Sequence, residues 1–285
     1  FFEGNTTVAV ALLMILPLVR YLQLNTERPW LRFGLYGAMA LIAIAILGTY
    51  SRGALLGAMA MGIYWIWKSP KRGPLILGAG ILAVIALAMF PQKWYDKMET
   101  MENYQEDASA MGRIYAWQFT MRLVSAKPVF GGGFEPYTRE TYNRYAPDVS
   151  RKAAKPQGPH SNYFKVLGEH GFLGLFLYLT TGFLAFKRAG WILRITSNRP
   201  EMKWAGDLAS MIKVGLVGYA VSGAFLGMSY FDLYYHMLSL MVVATLVVTS
   251  EIDETQENVS LQQPSSSFAY SGAGRSYASR EVDGG

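Results

Sequence analysis

The chain has no cysteine. This excludes disulfides and thiolate metal sites and leaves the compartment open. Charge is also scarce. Of 285 residues only 16% are Asp, Glu, Lys or Arg, against 52% hydrophobic. That balance excludes an ordinary soluble domain, because apolar runs of this length and number cannot all be hidden in one core. There are three histidines, His160, His170 and His236. Glu102, Glu106 and Asp107 have no spacing that argues for a metal and read as a solvated loop. The opening FFEGNTTVAVALLMILPL has neither an initiator Met nor a basic n-region. It does not read as a signal peptide, and the chain is expected to begin inside a longer protein.

What is present is a series of apolar runs separated by short polar connections. The fold class they indicate is all-α: a polytopic membrane helix bundle of about seven spans. The spans are expected at 7–21, 30–49, 54–67, 74–90, 163–186, 211–228 and 231–249. Each must be helical, because lipid leaves no backbone polar group a partner outside the segment. The third is short, about 14 residues against the roughly 20 a bilayer needs. Gly57, Gly62, Gly78 and Gly80 read as close-packing points between helices.

Basic residues set the orientation. Arg20, Arg28 and Arg32 flank the first connection, Lys68, Lys71 and Arg72 the third, and Lys187, Arg188, Arg194, Arg199 and Lys203 the fifth. With alternating spans all three fall on one side, which is then cytoplasmic. This bias accounts for the net charge of +6 more simply than nucleic-acid binding, and no nucleic-acid partner is expected. Trp30, Trp65, Trp67 and Trp94 lie near span ends as interfacial anchors.

The expected organisation is spans 1–4 in 1–90, a periplasmic loop in 91–159, spans 5–7 in 160–250, and a disordered cytoplasmic tail in 251–285. The tail, with its PSSSFAYSGAGRSYASREVDGG, has too little apolar surface to offset the entropy of ordering. Within the long loop, Ile114, Trp117, Met121 and Val124 recur at helical spacing over 111–126, an amphipathic helix on the membrane surface or the top of the bundle. Lys127-Pro128 stops it. Gly131-Gly132-Gly133 gives a turn where backbone comes close to a ligand. Ser161 or Asn162 caps the helix that follows.

Candidate chemistry gathers on the expected outer face. Arg52 stands between two apolar spans, where a cation needs a partner or a watery site. Arg113 opens the amphipathic helix, whose free N–H groups would favour an anion. Together the two guanidinium groups could clamp a diphosphate. His160 lies at a helix mouth, where a neutral imidazole can accept a hydroxyl proton. His170 and His236 are weaker candidates. Tyr137, Tyr142 and Tyr145 fit either sugar stacking or loop packing.

Gly112-Arg113, Trp117, Pro128-Val129-Phe130-Gly131-Gly132-Gly133, Pro159-His160-Ser161-Asn162-Tyr163 and Glu169-His170-Gly171-Phe172-Leu173-Gly174 follow one another in this order. With the opening segment and SRGALLG, they resemble the Wzy/WaaL-type O-antigen ligase and polymerase superfamily over about residues 1–250. Among its members the exosortase A-associated O-glycosylation ligases are the most similar. The resemblance implies a multi-pass protein of the bacterial inner membrane. It would be a metal-independent glycosyltransferase needing no cofactor. Its partners would be an undecaprenyl-diphosphate-linked glycan, a hydroxyl acceptor (lipid, protein or glycan) and membrane lipids. It also implies that Arg52, Arg113 and His160 are catalytic. Trp117, Gly131, Gly133 and Tyr137 join the two arginines in substrate binding. Ser161 stands where the family commonly has Asn. Two alternatives remain: a Wzy-type polymerase of the same superfamily, and a lipid-linked sugar transporter. A transporter would have charges and broken helices at mid-membrane.

Overall fold

The computed structural model describes residues 5–69, 72, 73, 76, 108–153 and 155–262. Among these it holds helices and turns and no strand. The expected span 74–90, with Gly78 and Gly80, lies outside the described residues, as do Lys71, Trp94, Glu102, Glu106 and Asp107. The helices are α1 (Asn5–Leu24), α2 (Pro29–Gly48), α3 (Arg52–Lys68), α4 (Ala108–Ala126), α5 (Arg139–Tyr145), α6 (Pro147–Lys152), α7 (Asn162–Thr196), α8 (Lys203–Ser222) and α9 (Asp232–Gln262). Four of them, α1, α2, α7 and α9, are long and apolar enough to cross a membrane. Their outer faces carry large apolar side chains, including Phe33 at 76% exposure, Leu41 at 68% and Phe176 at 64%. Water does not tolerate so extensive an apolar surface; lipid requires it. The chain is a multi-pass helical membrane protein.

Local sequence sets several helix starts. Pro29 and Pro147 occupy first-turn positions, where the missing N–H is no loss. Ser51 Oγ accepts from Ala54 N at 3.3 Å. Thr138 and Thr141 cap each other reciprocally at the start of α5.

Two compact units divide the chain, Phe1–Thr245 and Leu246–Gly285. In the first, α1, α3, α7 and α8 pack around Ala9, Leu13, Met14, Ala209, Ile212 and Leu216. The α3–α8 crossing is close. A Cβ built at Gly57 would lie 2.0 Å from Ser222 Oγ, and one at Gly218 would lie 2.3 Å from Met61 Sδ. Gly57 is thus the packing point expected of it, while Gly62 faces open space. In the second unit the described residues are helical as far as Gln262. The segment expected as a tail from residue 251 thus opens with helix over 251–262, because Glu, Gln and Leu in EIDETQENVSLQ are good helix formers.

The three basic connections gather at one end of the first unit. Asn25 Nδ2 donates to Asp207 Oδ2 at 3.4 Å, joining the α1–α2 turn to the start of α8. Lys68, Lys187 and Arg194 line one cavity. At the other end, α4, α5 and α6 cap the bundle around Phe119, Leu123, Tyr142, Ala146 and Val149. Tyr142 stacks on Phe119 with centroids 3.9 Å apart and reads as loop packing.

α4 differs from expectation in two ways. It begins at Ala108 rather than beside Arg113, because Ala and Met extend a helix readily. Its buried stripe is Ala116, Phe119, Thr120, Leu123 and Val124, and Met121 is 47% exposed. The helix packs on α7 and the short helices, so the stripe follows those neighbours. α8 also starts and ends earlier than the expected 211–228.

Candidate functional site

The corner before α7 is held from three sides. Trp117 Nε1 donates to Pro159 O at 2.7 Å, and its ring stacks on Phe164 with centroids 5.1 Å apart. Asn162 N donates to Gly223 O at 2.7 Å, and Met228 N donates to Asn162 Oδ1. A Cβ on Gly227 would lie 3.8 Å from His160 Cα. Between these anchors His160 adopts φ 45°, left-handed backbone that a non-glycine residue rarely holds. Such strain costs roughly 1–3 kcal/mol and persists only where the surroundings impose it. Ser161 takes the cap position of α7 without a side-chain cap bond.

His160 is exposed to solvent. Even so, the protein around it disfavours the imidazolium, and the nearby positive charge of Arg113 pushes the same way, so its pKa lies below the ordinary 6.5. Arg113 is half-buried. Its Nε is buried and has no hydrogen-bond partner among the described residues. A buried donor left open in this way requires an explanation. Arg113 sits more than a turn inside α4, so the free N–H groups belong to residues before it and not to an anion seat at its own backbone.

Arg52 is the first residue of α3 and is exposed. Its neighbour Gly53 packs on Phe225 and Leu226, where a Cβ would meet Phe225 Cβ at 3.3 Å. Arg52, through its neighbour Gly53, and His160 therefore both border one connection, residues 223–231. Arg113, Trp117 and His160 form the nearer group.

The glycine turn is built against α7. Gly132 N donates to Gly168 O at 2.8 Å, Gly133 N to Glu169 O at 3.0 Å, and Phe172 N to Pro128 O at 2.8 Å. Gly131, at φ 64°, would place a Cβ 2.6 Å from Gly171 N. Its close approach is to protein backbone, while Gly133, at φ 84°, faces open space. Gly171 has φ 66° and ψ −165°, a region essentially reserved for glycine, and α7 kinks there. Tyr137 packs edge-on to Phe119 at 5.8 Å and donates to Phe164 O at 3.2 Å. Burial raises its pKa.

A second polar group borders the turn; from sequence only its His170 was named, as a weaker candidate, and Glu169 was given no role. Glu169 is fully buried. Its Oε1 accepts from Glu135 N at 3.3 Å and lies 3.9 Å from Lys165 Nζ. Its Oε2 accepts from Tyr230 Oη. With that proton committed, His170 donates from Nε2 to the same Tyr230 oxygen at 2.8 Å. Burial, then the bond to Glu169, raises the Tyr230 pKa. The available signal was a carboxylate inside the expected span 163–186, because an acid there needs named partners. Asn162 was read only as a cap; it is the residue that ties the corner to 223–231. No three His, Asp or Glu side chains gather at metal-binding spacing among the described residues.

This arrangement is a multi-pass helical protein with a polar cap carrying arginines and a strained histidine. A family model described as O-antigen ligase matches residues 37–179, half of the chain, and the chain belongs to the O-antigen ligase family. It is also similar to a Rickettsia bellii (strain RML369-C) protein named "Putative polysaccharide ligase", with 26% identity over 145 residues. That match takes in 50% of this chain and 34% of the relative, so the chain spans about a third of the length of the relative it matches.

Proposed function

We propose that the chain is a glycosyltransferase of the O-antigen ligase kind, acting in the bacterial inner membrane. It transfers a glycan from undecaprenyl diphosphate to a hydroxyl acceptor at the periplasmic face, as implied for the exosortase-associated ligases it resembles. One observation carries the reading: the unpartnered, buried Arg113 Nε within electrostatic reach of His160. An anion beside Arg113 would satisfy that donor with a charge-assisted bond.

The acceptor oxygen attacks the anomeric carbon as the bond from that carbon to the diphosphate oxygen breaks. The hydroxyl proton passes to neutral His160, and one direct displacement inverts the anomeric centre. Arg113 and Arg52 neutralise the departing diphosphate, where most of the developing charge lies. The low proton affinity of His160 fits this order of events. A diphosphate beside Arg113 offsets the charge that depresses the imidazole, so basicity rises when the donor binds. Trp117 holds the Pro159 carbonyl and so positions His160. Gly133, which faces open space, and Tyr137 border the path assigned to the glycan.

The test is alanine at Arg52, Arg113 and His160, one at a time, in membranes with matched expression, scored by glycan appearing on the acceptor. Each is expected to lower transfer by about 10²-fold or more. Wild-type transfer in all three would refute the assignment.

A further inference from the structure

At the end of the bundle remote from His160, a cavity of about 560 Å³ opens between α3, α7 and α8. This falls within the roughly 300–1,000 Å³ of small-molecule sites. Lys68, Lys187, Arg194 and Lys213 line it, with Trp65 and Phe186 among the walls and no acidic side chain among the described residues. None of the four cations is in an ion pair among the described residues. Aromatic faces stand where carboxylates would be expected. Lys213 Nζ lies 4.1 Å from the Phe186 ring centre, Lys68 Nζ 4.8 Å from Trp67, and Lys187 Nζ 5.7 Å from Phe183. Gly190 makes room for the Lys213 ammonium, since a Cβ there would lie 3.2 Å away. Lys68 and Arg194 are close enough to repel it.

Like charges do not gather in an apolar wall without a counter-charge, and the described residues supply none here. The anion always present at this depth, beside an interfacial tryptophan, is lipid phosphate. We propose that this cavity binds the phosphodiester headgroup of an anionic membrane lipid. Lys213 and Arg194 contact the phosphate, Lys68 and Lys187 close the rim, and the acyl chains lie along exposed Phe183 and Leu184 of α7. The site is independent of the transfer chemistry at the other end.

The full chain, purified in detergent, would be loaded with an equimolar mixture of phosphatidylglycerol and phosphatidylcholine of identical acyl chains. Native mass spectrometry then reads the bound lipid. Phosphatidylglycerol adducts are expected to dominate, and to fall about fivefold for each cation removed in Lys213→Gln and Arg194→Gln. Lys213→Arg and the distant Arg122→Gln retain the wild-type adducts. If the Lys213 and Arg194 variants do not fold, Lys187→Gln at the rim carries the same expectation. Equal retention of the two lipids, or undiminished phosphatidylglycerol in well-folded variants, would overturn the site. Displacement of the lipid by millimolar inorganic phosphate would overturn the lipid assignment in favour of a soluble anion.

Discussion

At the His160 end, Lys165 lies between two carboxylates, Glu135 at 3.0 Å and Glu169 at 3.9 Å. At the other end, Lys213 rests on a phenylalanine ring, with no acid among the described residues that line its cavity. Both lysines belong to helices that pack in the bundle, so depth alone does not separate them. Matching does. A cation satisfied inside the protein fixes structure, and the Glu169 group ties α7, the glycine turn and the 223–231 connection together. A cation left unmatched points to something outside the chain. Arg113 is instructive because it sits at the matched end yet has an unmatched Nε.

If that contrast is sound, perturbing the unmatched group should affect chemistry and perturbing the matched group should affect stability. The largest effect is expected from Arg113→Ala, a loss of about 10²–10³ in transfer with little change in thermal unfolding. A variant that melts early and still transfers would reverse the contrast. Next, Tyr230→Phe removes the hydroxyl that Glu169 accepts from and should destabilise by about 1–3 kcal/mol in denaturant titrations of the micellar protein. A neutral result would mean that the buried carboxylate is satisfied without Tyr230.

A smaller effect concerns pH. The His160 pKa is depressed below 6.5, so at limiting donor the acid limb of transfer should lie below that of an ordinary histidine. Arg113→Gln removes one depressing charge, so the acid limb of its residual transfer should move upward. A limb that stays in place would separate the two groups electrostatically. The smallest effect belongs to Arg122→Gln, which breaks an exposed pair with Asp148 at 3.4 Å. Under about 1 kcal/mol and unchanged transfer are expected; a large loss would mean that exposed pairs at this end also matter.

The helices were legible because apolar runs as long as 30–49 and 163–186 have no other stable conformation in lipid. Arg113 and His160 were legible as chemical types in the long connection, although Arg113 lies inside α4 and not at its start. Two local features were not. The start of α4 depended on helix-forming residues ahead of Arg113. The stripe it buries depended on Phe119 meeting Tyr142, a contact that its own periodicity does not encode. The Glu169 group was hidden for a longer-range reason. Tyr230 lies about 60 residues from its partners, and Glu169 and His170 alone look like ordinary helix-interior polar residues. The kink at Gly171 was hidden in the same way, because it is defined by the Pro128 and Val129 carbonyls against it.

That break makes α7 two rods, joined at a point held against the Pro128 and Val129 carbonyls. The longer rod, after Gly171, packs on α8 and turns Phe176, Phe183 and Leu184 outward to lipid. The short rod stays clamped to Gly132, Gly133 and Gly223 through its own backbone. The candidate groups are therefore placed by protein backbone and not by the lipid around the shaft, and glycan transfer should be nearly indifferent to acyl-chain length.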